Sequence, residues 1–124
     1  MNHLKIKVDY YRDKIFEQDS SNIITEIEIF FNKYILSTLP NSTEIVEYAF
    51  TILNELADLK EDAVDVVLES SIYINLWDNY GDNKQIFWSY LNERSRKLYD
   101  EAVWLYTNGS TPQEQVHYRE KHGL

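Results

Sequence analysis

The chain of 124 residues carries a formal net charge of −9 and contains no cysteine. Its length fits one helical domain, residues 1–124, which buries about two-thirds of the surface that the unfolded chain exposes. The cysteine count excludes disulfides and thiolate chemistry, and no run of about 18 uncharged residues could cross a bilayer. Charges occupy the place of a signal peptide's apolar segment, so we expect a cytoplasmic protein.

The negative charge is concentrated in the middle third of the chain. Residues 1–43 hold six acids and five bases, residues 44–82 hold ten acids and one base, and residues 83–124 hold five acids and six bases. Such a block disfavours nucleic-acid backbones and attracts cationic partners. We therefore expect a basic protein as partner, and neither nucleic acid nor a membrane.

Two helices are predicted for the N-terminal third. Residues 2–17 alternate like a strand and also keep helical spacing, and we choose a helix because no second strand candidate exists to pair with them. Apolar residues at helical spacing after Ser20 or Ser21 predict a second helix, which Pro40 ends.

Two acidic helices follow. Apolar side chains at three- and four-residue steps predict a helix over 43–58, with Asn41 or Ser42 as its N-cap, and another over 61–77. Charged residues fall on the opposite, outward faces. The outer stripe of the helix over 61–77 is predicted to consist of Asp62, Asp65, Glu69 and Tyr73.

The segment LWDNYGDNKQIFWSYL, residues 76–91, places aromatic side chains around a turn. Gly81 fits the left-handed position that ends a helix, and Asp82 begins a sequence with capping-box spacing. A long helix over 83–107 is expected next, with the wide apolar arc typical of the middle of a bundle. Arg94 falls on the inner side of this arc, so a carboxylate partner is predicted for it.

Clear local signals bound the last helix. Gly109 ends the long helix, Thr111 caps the next one, Pro112 takes its first position and Glu114 completes a capping box. These signals predict a helix over 112–121. The predicted fold class is therefore all-α, a single compact bundle of five to six antiparallel helices.

No stretch matches a specific catalytic or cofactor motif. Glu114 and His117 have the Glu-x-x-His spacing of a di-iron site, but such sites need a second pair, so we expect an exposed helix face and no metal. The histidines are few and give no nucleophile an evident base. The basic run Arg94–Lys97 precedes Asp100 and Glu101, and intrahelical ion pairs explain it better than a phosphate site. We expect neither an enzyme nor a cofactor.

Acids and aromatic residues coincide in the middle third. Protein interfaces use aromatic anchors for buried area, and charges for encounter rate and selectivity. The alternatives are a solvated face that keeps the protein soluble and, for Trp77, a place in the core. The predicted partner-binding residues are Glu44, Glu47, Glu55, Asp58, Glu61, Asp62, Asp65, Glu69, Tyr73, Trp77, Asp78, Tyr80 and Asp82.

In size, acidity, lack of cysteine and helical pattern, the chain resembles the immunity proteins that bacteria make against their own secreted toxins, including those of contact-dependent inhibition systems. The resemblance is at class level and rests on residues 44–82. It implies neutralisation of a basic, nuclease-type toxin by occlusion of its active site, with the acids facing the toxin's lysines and arginines.

Two other functions fit the same sequence. An acidic adaptor, regulatory module or DNA mimic would use the same surface. A small-molecule-binding helical bundle would instead use the aromatic residues of the long helix to line a cavity. The residues assigned to that cavity are Trp88, Tyr90, Tyr99 and Trp104.

Overall fold

The computed structural model describes residues 2–17, 20–41 and 43–124, and within these ranges the chain is helical and has no strand. The all-α prediction is therefore confirmed. The number and antiparallel order of the helices stay a prediction. In the same ranges, no helix combines the length and the apolar character that crossing a membrane requires.

Two helices form the N-terminal third. α1 spans Asn2–Phe16, which confirms the choice of a helix for this ambiguous segment. α2 spans Ser20–Phe31 and continues into a π-helical turn at Asn32–Leu36. Tyr11 of α1 and Ile27 of α2 are fully buried, so both helices contribute to the core.

α3 spans Glu44–Asp58 and begins one residue later than the predicted start at residue 43. Thr43 has an extended backbone, and its hydroxyl accepts a hydrogen bond from the Val46 backbone N–H at 3.2 Å. The predicted cap at Asn41 is wrong, because Thr43 stands directly before the first helical residue. Other predicted helix-start residues have side chains outside the described part of the chain: Ser20, Ser21 and Ser42.

The long helix predicted for the C-terminal third is broken. A 3-10 turn at Gly81–Asn83 leads into the short α6, Gln85–Trp88, and α7 begins after a bend and spans Glu93–Asn108. Asn92 causes this new start, since its side-chain oxygen accepts a hydrogen bond from the Ser95 backbone N–H at 2.9 Å.

The two interior glycines have different roles. Gly81 has an ordinary φ of −58°, so the prediction of a left-handed helix end is wrong there. A Cβ at Gly81 would lie 2.8 Å from Cδ1 of Trp77, so the position needs glycine for close packing. The capping box predicted at Asp82 does not form, because Asp82 lies within the 3-10 turn. Gly109, with φ +58°, ends α7 as predicted.

α8 spans Pro112–His122 and starts as predicted. Thr111 accepts a hydrogen bond from the Glu114 backbone N–H at 3.2 Å, and the Glu114 carboxylate accepts one from the Thr111 N–H at 3.1 Å. No side chain of α8 is fully buried. The helix rests on α7 through a stack of Tyr118 on Trp104, with ring centroids 4.4 Å apart, so few side chains hold it in place.

The helical stretch over 62–80 carries much of the core. It begins as α4, Asp62–Leu68, widens into a π-helical turn at Glu69–Tyr73 and continues as α5, Ile74–Tyr80. α4 packs on α1 and α3, and the π turn packs on both α2 and α7. Because neighbours cover this stretch on several sides, it has much less solvent-facing surface than a helix with one apolar face.

Asn54 of α3 ties the core to the bend before α7. Its amide donates a hydrogen bond to the Tyr90 carbonyl at 2.9 Å, and its Oδ1 accepts from the Asn92 backbone N–H at 3.1 Å and the Ser95 hydroxyl at 2.7 Å. The Ser95 hydroxyl in turn accepts from the Tyr73 hydroxyl at 3.0 Å. The bend is therefore fixed by a continuous chain of hydrogen bonds.

Replacing Asn54 with Ala should lower the free energy of unfolding by about 1–3 kcal/mol, because partly buried donors and an acceptor lose their partner. The matched control is Asn79→Ala, since the exposed Asn79 amide bonds only the Asn75 carbonyl one turn back, at 2.8 Å. The control should change stability by about 0.5 kcal/mol or less. Urea unfolding followed by circular dichroism measures both variants, and equal losses would contradict this role of Asn54.

Candidate functional site

The predicted outer stripe of the helix over 62–80 lies largely inside the molecule. Asp65 and Tyr73 are fully buried, and Glu69 is 6% exposed. The prediction that these three residues lie on the outer face of the helix is therefore wrong. The pattern of the helix alone predicts that this face is exposed to solvent. In the structure, α7 and α8 cover the face and bring basic side chains to it.

The carboxylate partner predicted for Arg94 is confirmed, and it is Asp65. Arg94 Nη1 donates to Asp65 Oδ1 at 2.8 Å, and Nη2 donates to Oδ2 at 2.9 Å. Nη1 also donates to the carbonyl of Ala57 near the end of α3. A bidentate pair of this kind is among the strongest polar contacts in proteins, and it joins α3, α4 and α7.

Arg119 of α8 binds the same carboxylate from another side. Its Nη2 lies 2.5 Å from Asp65 Oδ2, and its Nη1 lies 3.3 Å from Oδ1 of the exposed Asp62. Its Nε lies 3.3 Å from Oε2 of Glu101 on α7. One guanidinium group therefore connects α4, α7 and α8, and it is the main polar anchor of α8.

These contacts define a buried carboxyl cluster of Asp65, Glu69, Glu101, Arg94 and Arg119. Three buried carboxyl groups share two guanidinium groups. Apart from the contact between the two carboxyl groups themselves, no group among the described residues donates a hydrogen bond to Glu69 Oε2 or to either carboxyl oxygen of Glu101. An uncompensated charge in the interior is costly. Burial, followed by the hydrogen bond to Glu101, raises the pKa of Glu69 to about 10, so Glu69 is protonated at neutral pH and its proton lies in the hydrogen bond to Glu101.

The sequence interpretation missed two members of this cluster. It gave Glu101 an intrahelical ion pair, although Glu101 stands three residues after Leu98 and four before Leu105, on the apolar line of α7. That spacing is the signal for an inward position. Arg119 carries no comparable signal, because α8 has no apolar face that would define an inside.

The basic run at the start of α7 also pairs differently from the prediction. Lys97 Nζ lies 3.7 Å from Glu93, one turn earlier. Arg96 donates to the Trp88 carbonyl at 3.0 Å, and its guanidinium lies over the Trp88 ring. Arg96 therefore holds the bend between α6 and α7.

The acidic face of α3 is exposed, as predicted. Ile45 and Tyr48 lie beside this face and are 52% and 39% exposed. We name its acids the α3 stripe, which consists of Glu44, Glu47, Glu55 and Asp58. The stripe follows one side of the helix for about 21 Å. None of the ion pairs that the structure describes in residues 2–17, 20–41 and 43–124 involves these carboxylates, although Asp58 accepts a hydrogen bond from the Asn92 amide at 3.0 Å.

The three aromatic residues predicted as anchors are packed within the molecule. Burial raises the pKa of the Tyr73 hydroxyl well above its usual range. Trp77 is partly buried and packs edge-on against Tyr106, with ring centroids 5.1 Å apart. The partly buried Tyr80 donates its hydroxyl to the Leu36 carbonyl at 3.0 Å. These rings hold α5 in place, so they supply little free surface to a partner.

The remaining predicted acids lie at the two ends of the helical stretch over 62–80. Glu61 is partly buried and accepts a hydrogen bond from Arg12 Nε at 2.9 Å. Asp78 and Asp82 are exposed and line a shallow depression of about 320 Å³ at the end of α5. The predicted interface is thus divided: its α3 half is exposed, and its α4 half is mostly engaged inside the molecule.

The aromatic residues that the ligand-binding alternative needs do not converge on one site. Trp88 packs on Tyr99, with ring centroids 5.6 Å apart, and Tyr90 stacks on Phe50 at 4.8 Å. Trp104 stacks on α8. Each ring has its own partner, so these contacts do not support a shared aromatic cavity.

Comparison of the chain with protein-family models, curated proteins and solved structures found no match. No residue role is therefore transferred from another protein. The geometry of the α3 stripe and of the buried carboxyl cluster carries the functional interpretation.

Replacing Glu69 with Gln should make stability less dependent on pH. The unfolded carboxyl has a pKa of 4.5 and the folded one a pKa of about 10, so above pH 5 the folded protein keeps a proton that the unfolded chain has lost. The wild-type free energy of unfolding should therefore fall as pH rises, by at most about 1.4 kcal/mol per pH unit.

Gln keeps the hydrogen bond to Glu101 without titrating, so the E69Q variant should be the more stable protein at pH 8 and should lack this slope. Urea unfolding at four pH values between about 5 and 8 measures it. Glu55→Gln, on the exposed face of α3, should keep the wild-type slope. An unchanged slope in E69Q would contradict the proton on Glu69.

Replacing Arg119 with Met should lower the free energy of unfolding by about 3–5 kcal/mol, because Asp65 and Glu101 lose a buried cation. Amide protons of α8 should also exchange faster, since the helix loses its polar anchor. Lys121→Met, an exposed change on the same helix, should cost about 0.5 kcal/mol or less. If Arg119→Met matched Lys121→Met in stability and in amide exchange rates, the anchoring role of Arg119 would be disproved.

Proposed function

We propose that the chain is an immunity-type binding protein that captures a basic toxin domain through the α3 stripe and keeps the toxin inactive. The observation that supports this proposal is a row of four exposed carboxylates without an ion-pair partner among the described residues.

Charge and apolar area occur together on this face. The acids attract a cationic surface and guide its approach, and exposed Ile45 and Tyr48 supply area that can be buried on contact. A nuclease cleft carries lysines and arginines that bind phosphate groups, and a row of carboxylates on a helix offers these side chains an opposite charge. Binding would then occlude the cleft.

The buried acids of α4 are not part of the proposed interface. Asp65 is already paired with two arginines of the chain itself, so exposing it to a partner would break a buried network. The carboxylates of the α3 stripe need no such rearrangement. The proposed interface is therefore narrower than the one that the sequence predicts.

The double variant Glu47→Lys/Glu55→Lys should lose capture of the partner while it keeps its helical circular-dichroism signal, since both side chains are exposed. The matched control is Asp78→Lys/Asp82→Lys, which makes the same charge change at the end of α5. Immobilised wild type and variants are exposed to a lysate of the native host, and the captured proteins are identified by mass spectrometry. Loss of capture in the α5 pair alone would contradict an interface on α3.

The protein most strongly captured by wild type is then produced in a bacterial host, alone and together with each variant. It should be basic, toxic alone, harmless beside wild type and toxic again beside Glu47→Lys/Glu55→Lys. Association should slow as salt rises from about 50 to 500 mM, because salt screens exposed charges. A captured protein that is harmless alone would contradict the immunity function and favour an adaptor or a DNA mimic.

A further inference from the structure

An apolar groove opens beside the buried carboxyl cluster. It lies between the helical stretch over 62–80, α7 and α8, and has a volume of about 400 Å³. Its apolar lining includes Ile74, Leu105 and Tyr106, and Val66 and Tyr106 are 56% and 64% exposed. Glu69 also lines the groove, although only 6% of its surface is exposed. A carboxyl group is therefore part of an otherwise mostly apolar groove.

The cluster next to this groove is one positive charge short. Both arginines pair with Asp65. The carboxyl groups of Glu69 and Glu101 are left with one contact to a cation, which joins Arg119 Nε to Glu101 Oε2 at 3.3 Å. A proton fills the deficit in the isolated protein. A cation that reaches the pair through the groove can take the place of that proton.

Outside the pair itself, Glu69 Oε2 has no hydrogen-bond donor among the described residues. A primary ammonium group has three N–H donors and no acceptor, so it can donate to this oxygen, and it supplies the positive charge that the cluster lacks. An anion would meet like charge there, and a neutral apolar ligand would leave the oxygen without a donor.

We propose that this groove binds an alkylammonium ligand, with the ammonium group against Glu69 and the apolar chain along Ile74, Leu105 and Tyr106. The volume of about 400 Å³ lies in the range of small-molecule sites. The proton of the Glu69 carboxyl passes to the solvent as the ammonium arrives. The total charge of the cluster is thus the same before and after binding.

The titratable and charged groups around Glu69 come from three elements. Asp65 and Tyr73 lie on its own helical stretch, Glu101 on α7, and Tyr118 and Arg119 on α8. Arg119 stays paired with Asp65, at 2.5 Å, so release of the proton makes room for the ligand's charge without displacing this arginine. The site involves none of the residues of the α3 stripe, and the inference is independent of the proposed function.

The test uses n-hexylammonium chloride, with 1-hexanol as the matched neutral ligand. Calorimetric titration of wild type near neutral pH, in phosphate and in HEPES, measures the protons released from the dependence of the heat on buffer. We expect one proton released per hexylammonium bound, an affinity that rises up to about tenfold per pH unit, and weaker binding of hexanol without proton release. Chemical-shift changes should centre on Ala102, Leu105 and Gln115, which line the groove.

Glu69→Gln should lower the affinity for hexylammonium at least about tenfold and abolish proton release, and Glu55→Gln should bind like wild type. The buffer dependence of wild type tests the proposal even if the Gln variant folds poorly. Three results would overturn the proposal: no binding of hexylammonium, binding without proton release, or hexanol bound as tightly as hexylammonium.

Discussion

The carboxylate of Asp65 is the point on which the arrangement of the C-terminal half depends. It is fully buried and accepts hydrogen bonds from Arg94 of α7 and Arg119 of α8. Charges taken out of water must be compensated closely, so one side chain of α4 determines where two other helices can lie. The same arrangement leaves Glu69 and Glu101 short of one positive charge. The proton on Glu69 and the proposed binding of an alkylammonium ligand both follow from this imbalance.

The acids of the middle third therefore serve two different purposes. Asp65 and Glu69 lie inside, and Arg94 and Arg119 from distant parts of the chain compensate Asp65. The acids of α3 stay in solvent, next to apolar side chains, where they are available to another molecule. A net charge of −9 says only that acids are in excess, whereas their positions separate groups that build the protein from groups that can meet a partner.

Local signals in the sequence were sufficient to predict the helical class, the amphipathic α3 and the capping box of Thr111 and Glu114. Each of these features depends on residues that are a few positions apart. The buried cluster was out of reach, since the partners of Asp65 lie 29 and 54 residues away. The apolar periodicity of a single helix predicts that every acid on its polar face is exposed to solvent. The inward position of Arg94 showed that a buried acid must exist, but several acids were candidates. The bend before α7 has a local N-cap at Asn92. The apolar spacing continues through this position, so the sequence predicted one unbroken helix there.

The π-helical turn at Glu69–Tyr73 also bears on how such a protein changes over evolutionary time. A turn with i→i+5 bonds contains one residue more than the α-helical turn that it replaces. A relative with a single-residue deletion in this turn could keep the faces of α4 and α5 and lose the carboxyl group beside the groove. Gain or loss of this carboxyl group is thus accessible through one codon, without a change of fold.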